Sequence, residues 1–330
     1  MLLCVCLNPA IDVTYRLAGP VAPGQSQRVT SVRERAGGKG INVARVAKQL
    51  DLPALVLAPV GGVTGASLRA DLEASGIPGS LIEILGPTRR TLAVVDPQEA
   101  TLFNEPGPKI TAGEWTALLD RFDNLLNGTW FSENGGTITA NGTEKSIALV
   151  ALSGSLPPGI PLDAYRTLTQ RAHERGIPVM VDAEGEPLTL ALEANPYLVK
   201  PNLAELGTIV GGPLDSVARI AAAGHAVRRL GARNVVVSCG ADGLIAITED
   251  GDWRASGPAV PGGNPTGAGD ALVATLAAGT IRNLAWGGRL RDGVARSAAA
   301  VSSPLAGQFD PATSARLAPD VVLEELNSGN

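Results

Sequence analysis

The residues best suited to chemistry lie in Asn264-Pro-Thr-Gly-Ala-Gly-Asp270, which runs into an apolar stretch of helical spacing at 271–280. Gly267, Ala268 and Gly269 let a ligand approach the backbone closely, at a helix start whose free amides and dipole favour an anion. Asp270 falls in the first helical turn beside them, placed to accept a proton from an attacking hydroxyl. An anion pocket beside a base is what phosphoryl transfer needs, because charge builds on the migrating group's oxygens. Ordinary helix capping uses the same residue types, so this motif alone leaves both readings open.

A second glycine-rich turn, Gly37-Gly-Lys-Gly-Ile-Asn42, opens the helical pattern 42–50. Gly38 allows close approach, Lys39 offers a positive charge, and Asn42 offers both donors and acceptors. The turn is neither G-x-G-x-x-G nor a G-x-x-x-x-G-K-[ST] P-loop, and a plain helix entry with a solvated lysine fits it as well. Three further signals follow strand-like runs: Asn8-Pro-Ala-Ile-Asp12, Ser153-Gly-Ser-Leu-Pro-Pro-Gly159 and Lys200-Pro-Asn202-Leu-Ala-Glu205. Each alone is turn chemistry. Together at strand ends they point to one cleft, because ligands of parallel α/β sheets bind outside the carboxyl ends of the strands.

The elements that must hold these residues alternate. Strand-like runs at 2–7, 54–60, 148–153, 179–182, 197–200, 234–238 and 244–248 are separated by helical patterns at 42–50, 66–75, 163–175, 216–230 and 271–280. That rhythm predicts a mostly parallel sheet covered on both faces. Segments 13–36 and 90–104 break it with short alternating runs, and read as a small separate sheet, a lid over the site. Segment 127–146 is dominated by Gly, Asn and Thr, with Asn-Gly at 127–128 and 141–142, and predicts a hairpin or excursion.

Composition narrows the class. Hydrophobic residues make up 45% of the 330 and aromatics only 3%, so the core is built from aliphatic side chains, as in buried parallel sheets. The net charge of −5 comes without any basic cluster, which argues against a nucleic-acid partner. The start, 1–7, is too short to span a membrane and has no basic flank, so cytoplasmic location is expected. Cys4, Cys6 and Cys239 have no metal-ligand spacing and read as buried small hydrophobes. His173 and His225 are expected to lack partners. No G-x-G-x-x-G follows an early strand, which disfavours a nicotinamide-dependent dehydrogenase.

Taken together, these motifs resemble the ribokinase-like phosphofructokinase B family of carbohydrate kinases, from Asn8 to about Gly307. The paired glycine turns carry the family resemblance. Leu7-Asn-Pro-Ala-Ile-Asp12, Thr101-Leu-Phe-Asn-Glu-Pro-Gly-Pro108 and the 153–159 turn are similar to the 1-phosphofructokinase and tagatose-6-phosphate kinase branch. The resemblance implies one α/β domain over 1–330, a three-layer fold with a mostly parallel central sheet and a small β-sheet lid. It implies Asp270 as catalytic base and Gly267, Ala268 and Gly269 as the anion hole. Asp12, Gly38 and Asn42 would hold the sugar, with Lys39 and Arg89 on a phosphate it already carries. Asn202, Glu205, Ser238, Gly240, Gly243 and Gly307 would serve ATP, with Glu205 reaching Mg²⁺ through water or phosphate. The implied reaction is ATP-dependent phosphorylation of a ketohexose monophosphate, first fructose 1-phosphate and then tagatose 6-phosphate. A small sugar phosphate is the only partner implied, apart from a homodimer through the lid. The sequence departs from the pattern at Ala271, where the branch usually has Ser, at Thr266 for Val, and at Ala93, where many members carry Lys. A non-catalytic sugar or nucleotide sensor on the same fold is the alternative of a different class.

Overall fold

The computed structural model describes residues 1–98, 100–131, 137–139, 146–258, 260, 267–303 and 305–326. Asn264-Pro-Thr266, and most of 127–146, therefore lie outside the described residues. The main sheet has ten strands. β1 (Leu2–Val5), β4 (Ala54–Val60), β5 (Gly79–Glu83), β10 (Leu149–Ser153), β11 (Val179–Asp182), β12 (Leu198–Val199) and β13 (Asn234–Ser238) are parallel. β14 (Leu244–Thr248), β15 (Gly251–Ser256) and β16 (Val322–Glu325) extend one edge in antiparallel fashion, giving the order 16-15-14-13-12-11-10-1-4-5.

β1 is buried on both faces, so its sequence is an unbroken apolar run rather than an alternation. Leu2, Cys4 and Cys6 point into one apolar layer, while Leu3, Val5 and Leu7 point into the other. The first layer is closed by α1 (Lys39–Gln49), α2 (Gly62–Ala74), α8 (Ala268–Ile281), α9 (Trp286–Val301) and α10 (Pro311–Leu317). The second is closed by α3 (Ala112–Leu126), α4 (Ala164–His173), α5 (Gly185–Leu192), α6 (Leu203–Val210) and α7 (Val217–Arg229). α8 is apolar on nearly every side because α1, α9 and the sheet surround it. α3 escaped the sequence reading, although Thr111 and Glu114 form a reciprocal capping box at its start.

A separate four-stranded sheet is made by β3 (Ser31–Gly37), β2 (Ala10–Arg16), β6 (Arg89–Val95) and β7 (Ala100–Asn104), in that order. It begins at Ala10, not at Val13, because the chain leaves β1 and enters the small sheet after four residues. Asp12 therefore lies inside a lid strand and not in a turn after the first strand. The sheet alternates: Ile11 and Val13 are buried against the first apolar layer, while Asp12 and Thr14 face a cavity. β8 (Thr129–Phe131) pairs antiparallel with β9 (Thr137–Thr139), a hairpin between α3 and β10. Just before β10, the Ser146 carbonyl accepts from the Met1 amino group at 2.7 Å. His225, expected to stand alone, has Asp252 Oδ2 at 2.7 Å from its Nε2. No helix among the described residues is long and apolar enough to cross a membrane.

Candidate active site

A cavity of about 950 Å³ opens over the carboxyl ends of the parallel strands, between the lid and the start of α8. α8 is preceded by its cap Gly267, which has a left-handed φ of 92°, where a side chain would also run into Ala306 and the amide of Gly307. That turn brings the first-turn amides to the cavity, and Gly267, Ala268, Gly269 and Asp270 all line it. Asp270 is 5% exposed and accepts a hydrogen bond from Asn42 Nδ2 at 2.9 Å. Burial, and then the nearby Asp182 carboxylate, push the Asp270 carboxyl up to about 6. A carboxylate so placed can take a proton from a hydroxyl near neutral pH.

Asp182, at the end of β11, sits behind Asp270 and is 2% exposed. Lys200 Nζ approaches its Oδ1 at 3.2 Å and Lys39 Nζ at 3.5 Å. Burial pushes the Asp182 carboxyl up, but the two ammonium groups outweigh it and hold it below its usual range. Lys39, in turn, is held more basic chiefly by Asp182. Two lysines and two buried carboxylates thus meet beneath the helix start, an arrangement that keeps positive charge next to the anion-favouring amides. The sequence reading missed Asp182 and gave Lys200 no role; the pairing of β11 with β12, which brings the two together, is not written in local spacing.

The lid supplies another wall. Asp12 Oδ1 accepts from Thr91 Oγ1 at 2.5 Å, and burial raises the Asp12 carboxyl. Its carboxylate occupies the space above Gly37, where any Cβ would collide with it. Gly38 has φ 98°, and a Cβ there would lie 2.9 Å from Cys6 Sγ and 3.2 Å from Pro9 Cα, so the turn into α1 admits no side chain at this position. Arg89, at the root of β6, lines the cavity but spends Nε and Nη2 on the Asn8 carbonyl at 3.3 and 3.2 Å, and Nη1 on the Glu105 carbonyl at 2.7 Å.

At the other end, Asn202, Glu205, Ser238, Gly240 and Gly243 line the same cavity. Asn202 and Glu205 cap α6 reciprocally, with Asn202 Oδ1 accepting from Glu205 N at 2.9 Å and Glu205 Oε2 from Asn202 N at 2.8 Å. Leu244, Val294, Ala298 and Val301 add an apolar wall that motif reading did not find. Gly307, expected at the adenine, has a left-handed φ of 70° and lies beside Asn42, where a Cβ would be 2.6 Å from Oδ1.

The pfkB family carbohydrate kinase profile matches residues 2–313. The chain belongs to that family. As a pfkB carbohydrate kinase it is a sugar kinase, transferring phosphate to a hydroxyl. Phosphofructokinase-2 from Escherichia coli, solved in complex with fructose-6-phosphate, is 28% identical, with 97% of this chain and 98% of that one covered and a TM-score of 0.83. A Thermotoga maritima protein described as a possible 1-phosphofructokinase is 24% identical over 99% of this chain and 100% of that one, with a TM-score of 0.85. Arabidopsis thaliana ribokinase, solved with ribose and ATP, shares the fold at a TM-score of 0.72 and 19% identity, covering 96% of this chain and 98% of that one. The pfkB kinase thus has the ribokinase-like fold, with the large mostly parallel sheet and the smaller one that the motifs implied.

Proposed function

We propose that this pfkB kinase transfers the γ-phosphoryl group of ATP to a hydroxyl of a ketohexose monophosphate. The observation that carries the reading is Asp270: buried, poised near neutrality, and flanked by the α8 amides. Asp270 takes the proton of the acceptor hydroxyl as its oxygen bonds to the γ-phosphorus. The bond from that phosphorus to the bridging oxygen breaks, and ADP departs with the electron pair. The amides of Gly267, Ala268 and Gly269 face the migrating group's oxygens, and Lys39 lends positive charge as negative charge builds there. Asn42 fixes the base through its 2.9 Å hydrogen bond.

The donor end suits a nucleotide: polar turns at Ser238, Gly240 and Gly243 stand beside the apolar wall of Leu244, Val294 and Ala298. Mg²⁺ fits Glu205, whose Oε2 is engaged by the Asn202 amide but which still faces the cavity. Among the described residues no cluster of three or more metal-ligating side chains gathers, so phosphate oxygens and water would supply most ligands. Bound there, the ion would neutralise phosphate charge.

Asp12 meets the sugar hydroxyls, and the phosphate the acceptor brings lies at the lid end of the cavity, which Arg89 borders. Lys39, beside Asp182, serves the transferred group. Fructose 1-phosphate is the acceptor favoured by the 7–12, 101–108 and 153–159 motifs, the product being fructose 1,6-bisphosphate. Fructose 6-phosphate is a second reading, supported by the Escherichia coli relative's complex. A coupled ADP-release assay across fructose 1-phosphate, fructose 6-phosphate, tagatose 6-phosphate, free fructose and ribose tests the reading. Highest kcat/KM on a ketohexose monophosphate is expected; faster turnover of an unphosphorylated sugar would refute it.

A further inference from the structure

Among the described residues four cations line the cavity, and three of them are already engaged. Lys39 and Lys200 share Asp182, and Arg89 gives three of its N–H groups to the Asn8 and Glu105 carbonyls. Arg35 is the fourth. Among the described residues its guanidinium makes no hydrogen bond or ion pair, and its Nε is shut off from water with no acceptor. A buried N–H left without an acceptor is costly.

Its surroundings deepen the deficit. Burial, then the adjacent Arg45 charge, lower the Arg35 guanidinium to about 10, against the smaller pull of Asp12 and Asp71. Neither carboxylate is idle: Asp12 accepts from Thr91, while Asp71 accepts from the Ala36 amide and pairs with Arg45. Arg45 itself is further tied to Ser75 and the Ala36 carbonyl.

The lid register shows which way Arg35 faces. Arg35 on β3, Asp12 on β2, Thr91 on β6 and Asn104 on β7 form one transverse row, and all four line the cavity. Neighbouring strands are about 4.8 Å apart, so Arg35 flanks Asp12 on one side as the β6 strand rooted at Arg89 flanks it on the other. Behind Arg35 is a recess of about 370 Å³, lined by Arg33, Glu34, Arg45, Asp71 and Ser75. In that recess Asp71 is already paired with Arg45, and the open volume leaves the Arg35 side chain room to reorient toward the cavity.

We infer that Arg35 is the principal specificity cation of the acceptor site, supplying from β3 the uncommitted guanidinium that grips the phosphate of a sugar monophosphate bound at Asp12. The assignment rests on the reading that the acceptor carries a phosphate. Arg89, whose donors hold the Asn8 and Glu105 turns together, shapes that site more than it binds in it. The bland role for Arg35 is to balance the Asp12 charge across the strand pair, and that role serves every sugar equally.

The experiment compares wild type, Arg35→Gln, Arg35→Lys and Arg89→Gln on the best monophosphate and on its unphosphorylated parent, with inorganic phosphate as competitor against the acceptor. Arg35→Gln is expected to cut kcat/KM for the monophosphate about 10–100-fold, mainly through KM, because a charge-assisted contact is lost. Turnover of the parent sugar should stay within about threefold, which also reports on folding. The inhibition constant of inorganic phosphate should rise in parallel, and Arg35→Lys should recover part of the loss. Equal losses on both acceptors, no loss on either, or a greater selective loss in Arg89→Gln than in Arg35→Gln would overturn the assignment alone. A wild type that prefers the unphosphorylated sugar would overturn the acceptor reading and this assignment together.

Discussion

Asn42 Nδ2 donates to Asp270 Oδ2 at 2.9 Å, joining the first turns of α1 and α8 across 228 residues of sequence. The bond favours the charged carboxylate, yet burial and Asp182 win, and the carboxyl rests at about 6. A base must be unprotonated to act, so kcat/KM should fall as pH drops through about 6. Asn42→Ala removes a donor that stabilises the anion and should move this acidic limb to higher pH. Asp270→Asn should reduce kcat by roughly 10²–10⁴-fold while nucleotide and sugar still bind. A pH–rate series on the three proteins checks all of this; a flat profile for wild type would remove Asp270 from the chemistry.

The same carboxyl bears on stability, with a definite sign. Its folded-state value is raised from 3.8 to about 6, so the native protein holds the proton more tightly than the unfolded chain does. Stability linked to Asp270 is therefore full at low pH and is lost as pH rises between about 4 and 6. Two tenfold steps in proton affinity amount to on the order of 3 kcal/mol. Asp270→Asn should thus be more stable than wild type above pH 6, with a gap that closes in acid. Urea titrations at pH 4 and 7.5 would decide it, and an equal gap at both would rule the linkage out.

Asp182 separates two ammonium groups, so its removal should have two readouts. Asp182→Asn leaves the buried Lys200 without its carboxylate and facing the part-exposed Lys39, and should cost about 3–5 kcal/mol, the usual penalty for breaking a buried pair. It also takes away the carboxylate that most raises Asp270 after burial itself. The acidic limb of the activity profile should then shift to lower pH, which destabilisation alone would not produce.

Gly37 is a site where one methyl group changes function. An added Cβ would fall within the Asp12 carboxylate, forcing that side chain off Thr91 and out of the cavity. Gly37→Ala should raise KM for the sugar at least about tenfold, as expected when a charged hydrogen bond is lost, and leave KM for ATP nearly unchanged. If both rise together, the turn serves the site as a whole rather than the acceptor.

The 127–146 segment, by its described ends, joins α3 to the start of β10, which is the end of that strand away from the cavity. Replacing it by a short turn after Asn127 should keep kcat/KM within about threefold, because closure entropy varies slowly with loop length. A collapse in activity would place it in the site or in a subunit contact.

What the sequence revealed follows from how locally each feature is written. The parallel strands were legible because double-sided burial makes them continuous apolar runs, as in β1 and β4. The two glycine turns were legible because close backbone approach admits few other residues. α3 was overlooked beneath an exposed face, though Thr111-x-x-Glu114 marked its start. Asp182, Lys200 and Arg35 were not legible as a constellation. They come from β11, the turn after β12, and β3, and only the strand order brings them to one cavity. Pairing is also what moved Asp12 from a turn into the lid: its register against Arg35 and Thr91 is a long-range fact that local spacing does not encode.

The burial of α8 sets unequal terms for evolutionary change in the two halves of the cleft. Ten of its fourteen residues are buried, and Gly293 on α9 admits Leu272 so closely that a Cβ there would be 2.7 Å from its Cδ1. Substitution along that helix meets packed neighbours at nearly every position, so the base and its amides inherit the conservatism of the core. The lid rows, by contrast, carry solvent-facing positions such as Arg33 and Leu102, where replacement costs little folding energy. A lineage can therefore retune which sugar it accepts by drifting through lid sequences while the phosphoryl-transfer apparatus stays fixed.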